Sequence, residues 1–200
     1  MKSLQPPLKY FSSFLFAMTL AVVGRGAERA IELHVLVHAP VEQVWKAWTT
    51  TDGVKTFFGP DANIEPRVDG LFEVYMNPLA EPGQKGSDGM RILALEENKL
   101  LAFTWNAPPD YPDIRRQRTH VVVRFESMGA AETLVTLHHD GWGDGGNWDK
   151  TFKYFSAAWP NVLKNLQERF DKGPIDWTEW MSSLKKYMAD QQAKAGAAGK

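Results

Sequence analysis

The 200-residue sequence contains no cysteine, which excludes disulfide bonds, thiolate metal ligands and cysteine nucleophiles. It also has no excess of charge, because 23 Lys and Arg residues accompany 24 Asp and Glu residues, for a formal net charge of −1. A chain so close to neutral offers no electrostatic basis for binding nucleic acid or an anionic membrane. The densest basic cluster consists of Arg115, Arg116 and Arg118, and we predict that it lies in a solvated loop.

Aromatic residues, in contrast, are plentiful, and eight of them are tryptophans. Large rings must be buried against other side chains, and they often line pockets as well as fill cores. A hydrophobic content of 44% and a charged content of 24% are those of an ordinary globular protein. A chain of this length is expected to form one domain of average size with additional segments at its ends.

Residues 1–27 have the layout of a secretory signal peptide. Lys2 and Lys9 precede an uncharged, mostly apolar run at residues 11–23, which is short for a transmembrane helix. We therefore predict an extracytoplasmic protein, periplasmic or secreted, with no stable membrane span after processing. An uncleaved anchor or an ordinary helix is the alternative, and Arg25 interrupts the best cleavage motif, so the cleavage position is left open.

Seven segments after residue 28 have the apolar alternation that is typical of β-strands. They cover residues 31–38, 63–67, 71–77, 90–95, 99–106, 119–125 and 133–139. A helix is expected to follow the first strand at residues 41–48, and a second short helix at residues 52–57, with Asp52 as its cap. Short turns between consecutive strands favour an antiparallel meander.

The longest amphipathic helix is predicted after the last of these strands. Its apolar residues recur about one helical turn apart and form one stripe, at Phe152, Phe155, Trp159, Val162, Leu166 and Phe170. A single large apolar helix beside a sheet indicates an α+β fold. We expect the folded domain at residues 28–177, followed at residues 178–200 by a short helix and a disordered tail.

Five segments in a characteristic order resemble a known superfamily. They are HAPVEQVWKAWT at residues 38–49, FFGP at 57–60, VDGLFEV at 68–74, LLAFTW at 100–105 and AAWPNVLKNLQERF at 157–170. In this order they resemble the START-like (SRPBCC) superfamily, and within it the branch related to the activator of heat-shock-protein-90 ATPase. The resemblance covers residues 31–177.

This resemblance implies a helix-grip fold, in which a curved seven-stranded antiparallel sheet wraps around the long C-terminal helix. Two short helices would follow the first strand. Many relatives hold a hydrophobic ligand between the sheet and the helix, and a few catalyse cyclisation or hydrolysis there. The branch has no common catalytic motif, so the fold alone carries little information about function. We expect the co-chaperone activity that names the branch to transfer poorly, because it belongs to a cytosolic protein.

Five residues are our candidates for the wall of such a cavity: Met76, Trp105, His139, Tyr154 and Trp159. Met76 shares the predicted inward face of its strand with Val74, and Trp105 shares that of its strand with Phe103. Tyr154 and Trp159 lie on the predicted helix. Two interpretations of His139 are open. It is either a hydrogen-bonded core histidine near the rim, or a polar group at the cavity mouth that orients a ligand or moves a proton.

We predict no cofactor and no metal site. His138 and His139 point to opposite faces of a strand, so they cannot chelate one ion while the strand stays regular. The acidic residues at 140, 144 and 149 lack the spacing of a calcium loop, and the glycine-rich segment 141–146 lacks the lysine of a phosphate loop. We assign no catalytic residue, because the sequence shows no nucleophile with a base and an orienting group.

Three functions are consistent with these observations. The leading hypothesis is an exported, non-catalytic protein that binds a small hydrophobic or amphipathic molecule. The second is a cyclase- or hydrolase-type enzyme that uses the same cavity, with His139 as its acid–base group. The third is a protein-interaction or co-chaperone-like module that uses the exposed loops at residues 78–87 and 108–118; the identity of any protein partner is left open.

Overall fold

The computed structural model describes residues 29–198, and the side chains through residue 194. The predicted signal peptide at residues 1–27 therefore lies outside the described residues. Within that range the strands are β1 (Ile31–Val37), β2 (Asp61–Ile64), β3 (Phe72–Tyr75), β4 (Ile92–Glu96), β5 (Leu100–Trp105), β6 (Thr119–Gly129) and β7 (Glu132–Asp140). The helices are α1 (Val41–Thr49), α2 (Thr51–Lys55), α3 (Pro112–Arg115), α4 (Gly146–Lys172) and α5 (Thr178–Ala198).

The strands are antiparallel, but they do not form one continuous seven-stranded sheet. Five of them form a sheet in the order β1-β7-β6-β5-β4, whereas β2 and β3 form a separate hairpin. Isolated bridges, Leu71 with Arg91 and Tyr75 with Gly86, connect the hairpin to the segment before β4. The prediction of a single seven-stranded sheet is corrected in this respect, because the loop between β3 and β4 folds back on β3 and interrupts the ladder.

The two short helices after β1 are confirmed, with a different cap on the second. Thr50, and not Asp52, caps α2, because the Thr50 hydroxyl accepts a hydrogen bond from the Gly53 backbone N–H at 3.0 Å. The C-terminal helix α5 is longer than the short helix that we predicted, since it continues to Ala198. Alanine, glutamine and lysine, which favour helix, are frequent in its second half.

Aromatic side chains fill the central space between the sheet and α4. The ring of Trp159 from α4 lies 5.6 Å from that of Phe58 and 5.4 Å from that of Trp105, measured between centroids. Trp48 and Phe57 pack edge to face at 5.1 Å, and both are fully buried. Pairs of this kind contribute roughly 0.5–1.5 kcal/mol each beyond the burial of their area. The middle of the domain is therefore a packed core.

The architecture is α+β and has the features of a helix-grip fold: an antiparallel sheet, two short helices after β1 and a long helix α4 packed against the sheet. The buried residues of α4 recur every three or four positions and face the sheet: Thr151, Phe155, Trp159, Leu163 and Leu166. Among the described residues, no helix combines the length and the hydropathy needed to cross a membrane.

Candidate functional site

A cavity of about 500 Å³ lies at the edge of the packed core, where α4 passes the ends of β3 and β5. This volume is within the range of pockets that hold drug-sized ligands. Its walls come from β3, the loop between β3 and β4, the end of β5 and the residues after it, α3, α4 and α5. The lining residues are Val74, Met76, Asn77, Ala80, Glu81, Gln84, Lys85, Gly86, Ser87, Trp105, Asn106, Ala107, Pro108, Pro109, Asp110, Arg115, Tyr154, Phe155, Tyr187 and Met188.

The inner wall of the cavity is apolar and largely aromatic. Trp105 at the end of β5 and Phe155 in the third turn of α4 pack edge to face, with their ring centroids 6.5 Å apart. Both side chains are more than nine-tenths buried, and Val74 of β3 is fully buried. A nonpolar ligand placed against this wall would be removed from water, which favours binding in proportion to the apolar area covered.

Arg115 of α3 holds the outer wall together. Its guanidinium donates to the carbonyl oxygens of Gly83, Gly86 and Ala107 and pairs with the Asp88 carboxylate at 2.9 Å. Burial lowers the pKa of Arg115, and the charge of Asp88 opposes this effect. Our prediction of a solvated cluster is therefore wrong for Arg115, whose side chain is 12% exposed and bonded to the protein.

The loop between β3 and β4 is fixed against β3 at Gly86 and Ser87. The Ser87 hydroxyl accepts a hydrogen bond from the Val74 backbone N–H at 2.7 Å, and the Ser87 N–H donates to the Val74 carbonyl at 2.9 Å. A Cβ atom at Gly86 would clash with the same carbonyl oxygen, so this close approach requires glycine. These contacts give the outer wall a defined shape without regular secondary structure.

The mouth of the cavity is bordered by Tyr154 of α4 and by Tyr187 and Met188 of α5. The two tyrosines are about half exposed. Burial raises the pKa of Tyr154, and the nearby Asp110 carboxylate adds to this shift, so its hydroxyl stays neutral near pH 7. Side-chain hydrogen bonds attach α5 to the two residues that follow β3: Trp180 Nε1 donates to the Met76 carbonyl at 3.3 Å, and Asn77 Nδ2 lies 3.7 Å from Met188 Sδ.

Three of our five candidate residues line this cavity, namely Met76, Trp105 and Tyr154. Whether they contact a ligand stays a prediction. His139 and Trp159 do not line it, and their placement in the cavity wall is corrected. Both side chains are buried between α4 and the sheet, with relative exposures of 0% and 1%. The aromatic rings of the core fill the space in which we expected the cavity.

His139 is the centre of a hydrogen-bond network that connects α4 to the sheet. Trp159 Nε1 donates to His139 Nδ1 at 2.8 Å, and an indole nitrogen can only donate, so Nδ1 must be the acceptor. The proton of the neutral ring is therefore on Nε2, which lies 2.7 Å from the Thr119 hydroxyl. That hydroxyl donates in turn to the Trp105 carbonyl at 3.3 Å. Each polar group of this buried set has a partner.

This environment keeps His139 uncharged. Burial, with smaller contributions from the neighbouring His120 and His138, lowers its pKa to about 3. Because the ring is enclosed and does not border the cavity, it has no route to a ligand there. The first of our two interpretations, a hydrogen-bonded core histidine, therefore agrees with the geometry, and the acid–base role has no support from it.

His138 lies on the outer face of the sheet, as strand alternation predicts. Its Nδ1 is 2.6 Å from the Glu32 carboxylate and its Nε2 is 3.0 Å from that of Asp140. Burial lowers the pKa of His138, but the two carboxylates outweigh this effect and raise it overall. In the part of the chain that the structure describes, no group of three or more His, Asp or Glu side chains is placed to hold a metal ion.

Sequence reasoning did not identify several residues of the cavity. Tyr187 and Met188 belong to a helix that lies after the predicted domain, and Arg115 belongs to a loop that we expected to be solvated. The sequence shows part of the apolar face of α5, because Leu184 and Met188 are one turn apart on a helix. No local sequence pattern shows which part of the domain this face of α5 packs against.

The sequence matches the family described as "Activator of Hsp90 ATPase homolog 1-like protein" over residues 38–171. No curated protein matches it. The match ends in the last turn of α4, so α5 lies beyond it.

Solved structures with the same fold include three that illustrate its range. Protein MLL2253 from Mesorhizobium loti is 19% identical with a TM-score of 0.56, and the alignment covers 74% of this chain and 100% of that one. The Aha1 dimer from Colwellia psychrerythraea is 17% identical with a TM-score of 0.55, covering 72% and 98%. An Hsp90 activator from Plasmodium falciparum is 16% identical with a TM-score of 0.55, covering 73% and 97%. At these identities the likeness establishes the fold alone.

Proposed function

Because the chain belongs to the Activator of Hsp90 ATPase homolog 1-like family, within the START-like superfamily, we propose that it binds a small, mainly apolar molecule without transforming it. The observation that carries this proposal is the cavity of about 500 Å³ with a buried aromatic inner wall and an open mouth. Ligand binding and activator-like functions are both compatible with this fold, and the cavity favours ligand binding for this chain.

The polar groups around the cavity support binding more than catalysis. Ser87, Asn106 and Arg115 are engaged in hydrogen bonds within the protein, so they hold the walls in place. A nucleophile would need a neighbouring base to activate it. His139, the histidine that we considered for this role, lies outside the cavity.

The proposal is tested with N-phenyl-1-naphthylamine, an uncharged apolar dye whose fluorescence increases when it leaves water. We expect saturable binding by the full chain, and an affinity at least ~10-fold weaker in Ala80→Trp, whose indole would occupy part of the cavity. Met128→Trp is the matched control, because Met128 is exposed and does not line the cavity. Non-saturable binding, or equal affinity in both variants, would refute the proposal.

We further propose that the mature protein acts outside the cytoplasm. The layout of residues 1–27 supports this, and Arg29, two residues after that segment, already contacts the folded domain. The Arg29 guanidinium donates to Asp149 at 2.7 Å and to the Gly143 carbonyl at 2.6 Å, so a mature chain that begins before residue 29 keeps this contact. N-terminal sequencing of protein recovered from the natural source tests the proposal: a start between residues 24 and 29 supports export, and an intact N-terminus contradicts cleavage.

A protein-binding role is the second candidate, and one specific observation favours it. Large exposed apolar side chains lie close to the cavity mouth: Leu79, Tyr154, Trp180 and Tyr187. Such clusters are characteristic of interaction surfaces. The ATPase rate of a bacterial Hsp90 distinguishes the two functions. We expect no change on addition of this protein, whereas stimulation that is lost in Tyr187→Ser would favour the activator-like role.

A further inference from the structure

Asn106, the residue after β5, carries an open hydrogen-bond acceptor on the wall of the cavity. It lines the cavity and is 6% exposed. Its Nδ2 donates to the Asp88 carbonyl at 3.3 Å, and because a carbonyl can only accept, the amide nitrogen must be the atom that faces it. This contact fixes the orientation of the amide group and directs Oδ1 away from Asp88.

The Oδ1 atom of Asn106 is both unbonded and accessible. Within residues 29–198 the side chain makes its hydrogen bond through Nδ2 alone. Oδ1 is nevertheless not among the unpaired side-chain atoms that the protein encloses, which in that range are Arg29 Nε, Trp48 Nε1, Asn98 Oδ1 and Trp105 Nε1. Because Asn106 is more than nine-tenths buried and borders the cavity, the space that its oxygen reaches is the cavity.

The hydrogen-bond donors of the cavity wall, in contrast, are directed elsewhere. Arg115 donates to three carbonyl oxygens and a carboxylate, and the Ser87 hydroxyl donates to the backbone of β3. The Lys85 ammonium lies 5.3 Å from the ring centroid of Tyr75, which is on the face of β3 opposite to the cavity. The N–H group of Trp105 is enclosed by the protein.

The side chains at the mouth are exposed, so water competes for their hydrogen bonds. Gln84, Tyr154 and Tyr187 can both donate and accept there, whereas Glu81 and Asp110 can only accept when they are ionised. A molecule that reaches the inner wall therefore meets an apolar surface and the open acceptor of Asn106.

A ligand that covers this oxygen determines whether the oxygen keeps a hydrogen bond. Water bonds to an accessible amide oxygen, and a ligand that displaces the water must supply a donor of its own to replace that bond. A ligand without a donor leaves the oxygen unpaired in apolar surroundings, which lowers its affinity by ~10-fold or more.

We propose that the cavity selects apolar molecules that carry a hydrogen-bond donor, such as a hydroxyl group, at the end that contacts Asn106 Oδ1. This inference rests on the proposed function and specifies the chemical class of its ligand. The aromatic wall binds the rest of the molecule. An uncharged hydroxyl suits the site better than an ammonium group, because the guanidinium of Arg115 lines the same cavity.

The test uses two compounds of nearly the same shape, 2-naphthol and 2-methylnaphthalene, of which only the first has an O–H group. Their affinities are measured by displacement of N-phenyl-1-naphthylamine from the full chain. We define the selectivity as the affinity for naphthol divided by that for methylnaphthalene. Asn106→Leu removes the acceptor and keeps a similar volume, so it should lower this selectivity by ~10-fold or more. Comparing variants cancels the difference in hydrophobicity between the two compounds.

Two further variants separate the acceptor from other effects. Asn106→Asp loses the contact of Nδ2 with Asp88, as Asn106→Leu does, but its carboxylate keeps an acceptor, so we expect it to retain the selectivity. Asn161→Leu is the matched control. Asn161 Nδ2 also donates to a backbone carbonyl, that of Ala157 at 3.2 Å, but this residue is exposed and does not line the cavity. We expect Asn161→Leu to leave the selectivity unchanged.

The outcomes separate this inference from the proposed function. Saturable dye binding with a selectivity that is lost in Asn106→Leu and retained in Asn106→Asp supports both. An unchanged selectivity in Asn106→Leu overturns the inference and leaves the proposed function intact. An equal loss in the two variants does the same, because it assigns the loss to the Asp88 contact, and so does failure of both compounds to displace the dye. Absence of saturable dye binding overturns both.

A measurement on the original chain decides the question if Asn106→Leu fails to fold. The ¹³C resonance of the Asn106 side-chain carbonyl should move downfield with naphthol and not with methylnaphthalene, because it reports a hydrogen bond to Oδ1. The same displacement with both compounds, or with neither, would overturn the inference.

Discussion

Lowering the pH from 7 to 5 should destabilise the folded protein through His139. Burial, with help from His120 and His138, lowers the pKa of His139 to about 3 in the folded state, whereas an unfolded chain has a value near 6.5. Because the folded pKa is the lower one, the stabilisation is fully present above pH 6.5 and is lost as the pH falls towards 3. Between pH 7 and pH 5 the loss amounts to roughly 2 kcal/mol of unfolding free energy.

Urea unfolding at pH 7 and at pH 5, followed by tryptophan fluorescence, measures this loss. The comparison includes His139→Gln, whose amide can both accept from Trp159 and donate to Thr119 but does not titrate. His34→Gln is the control, since His34 is an exposed histidine on β1. The original chain and His34→Gln should each lose about 2 kcal/mol more than His139→Gln. Subtracting the variant removes the contributions of all other titrating groups.

Equal losses in the three proteins would refute this reasoning, because they would mean that His139 takes up a proton without unfolding. An independent measurement is the ¹H NMR resonance of the His139 ring, which should not shift between pH 7 and pH 5. A shift with a midpoint near 6 would place the ring in contact with solvent and contradict the buried network.

Three further predictions concern the outer face, the outer wall and the mouth. Glu32→Gln should lower the pKa of His138, because the Glu32 carboxylate raises it; an NMR titration checks this, and an unchanged pKa would contradict the contact. Arg115→Lys should lower the unfolding free energy by ~2 kcal/mol and weaken dye binding, because lysine cannot reach all four acceptors. In the control Arg116→Lys, which changes an exposed residue, stability and dye binding should both stay the same. A chain that ends after Trp177 should keep a similar melting temperature. It should release the dye at least ~3-fold faster in stopped-flow measurements, because α5 borders the mouth of the cavity. An unchanged release rate would mean that α5 does not restrict access to the cavity.

Local patterns were sufficient to predict the elements of the fold. Alternation located all seven strands, and the stripe at Phe155, Trp159 and Leu166 correctly identified the side of α4 that faces the sheet. Boundaries were less accurate where the chain is irregular, as at β2, which begins at Asp61 rather than at residue 63. The division of the strands into a five-stranded sheet and a hairpin depends on how the loop at residues 77–87 folds, which periodicity does not encode.

The position of the cavity could not be predicted, because it depends on the volumes of side chains that meet only in the folded state. Inward alternation correctly placed Trp105 and Met76, yet it placed His139 and Trp159 on the same inner surface. The rings of Phe58 and Trp105 fill the space next to Trp159, so the open volume is displaced towards the ends of β3 and β5. Whether an inward residue lines a core or a cavity is decided by these neighbours and not by its own position in the pattern.

The two sides of the cavity have different origins along the chain. The inner wall, with Trp105 and Phe155, lies within the segment that matches the family, whereas Tyr187 and Met188 at the mouth lie beyond it in α5. The inner wall also shares its backbone with the core network, since the Trp105 carbonyl accepts a hydrogen bond from Thr119. A substitution at the inner wall therefore changes stability together with binding, whereas one in α5 changes access to the cavity with little effect on the core. Differences in ligand exchange between this protein and relatives without such a helix are accordingly expected to follow α5, and differences in ligand chemistry to follow the residues of the inner wall.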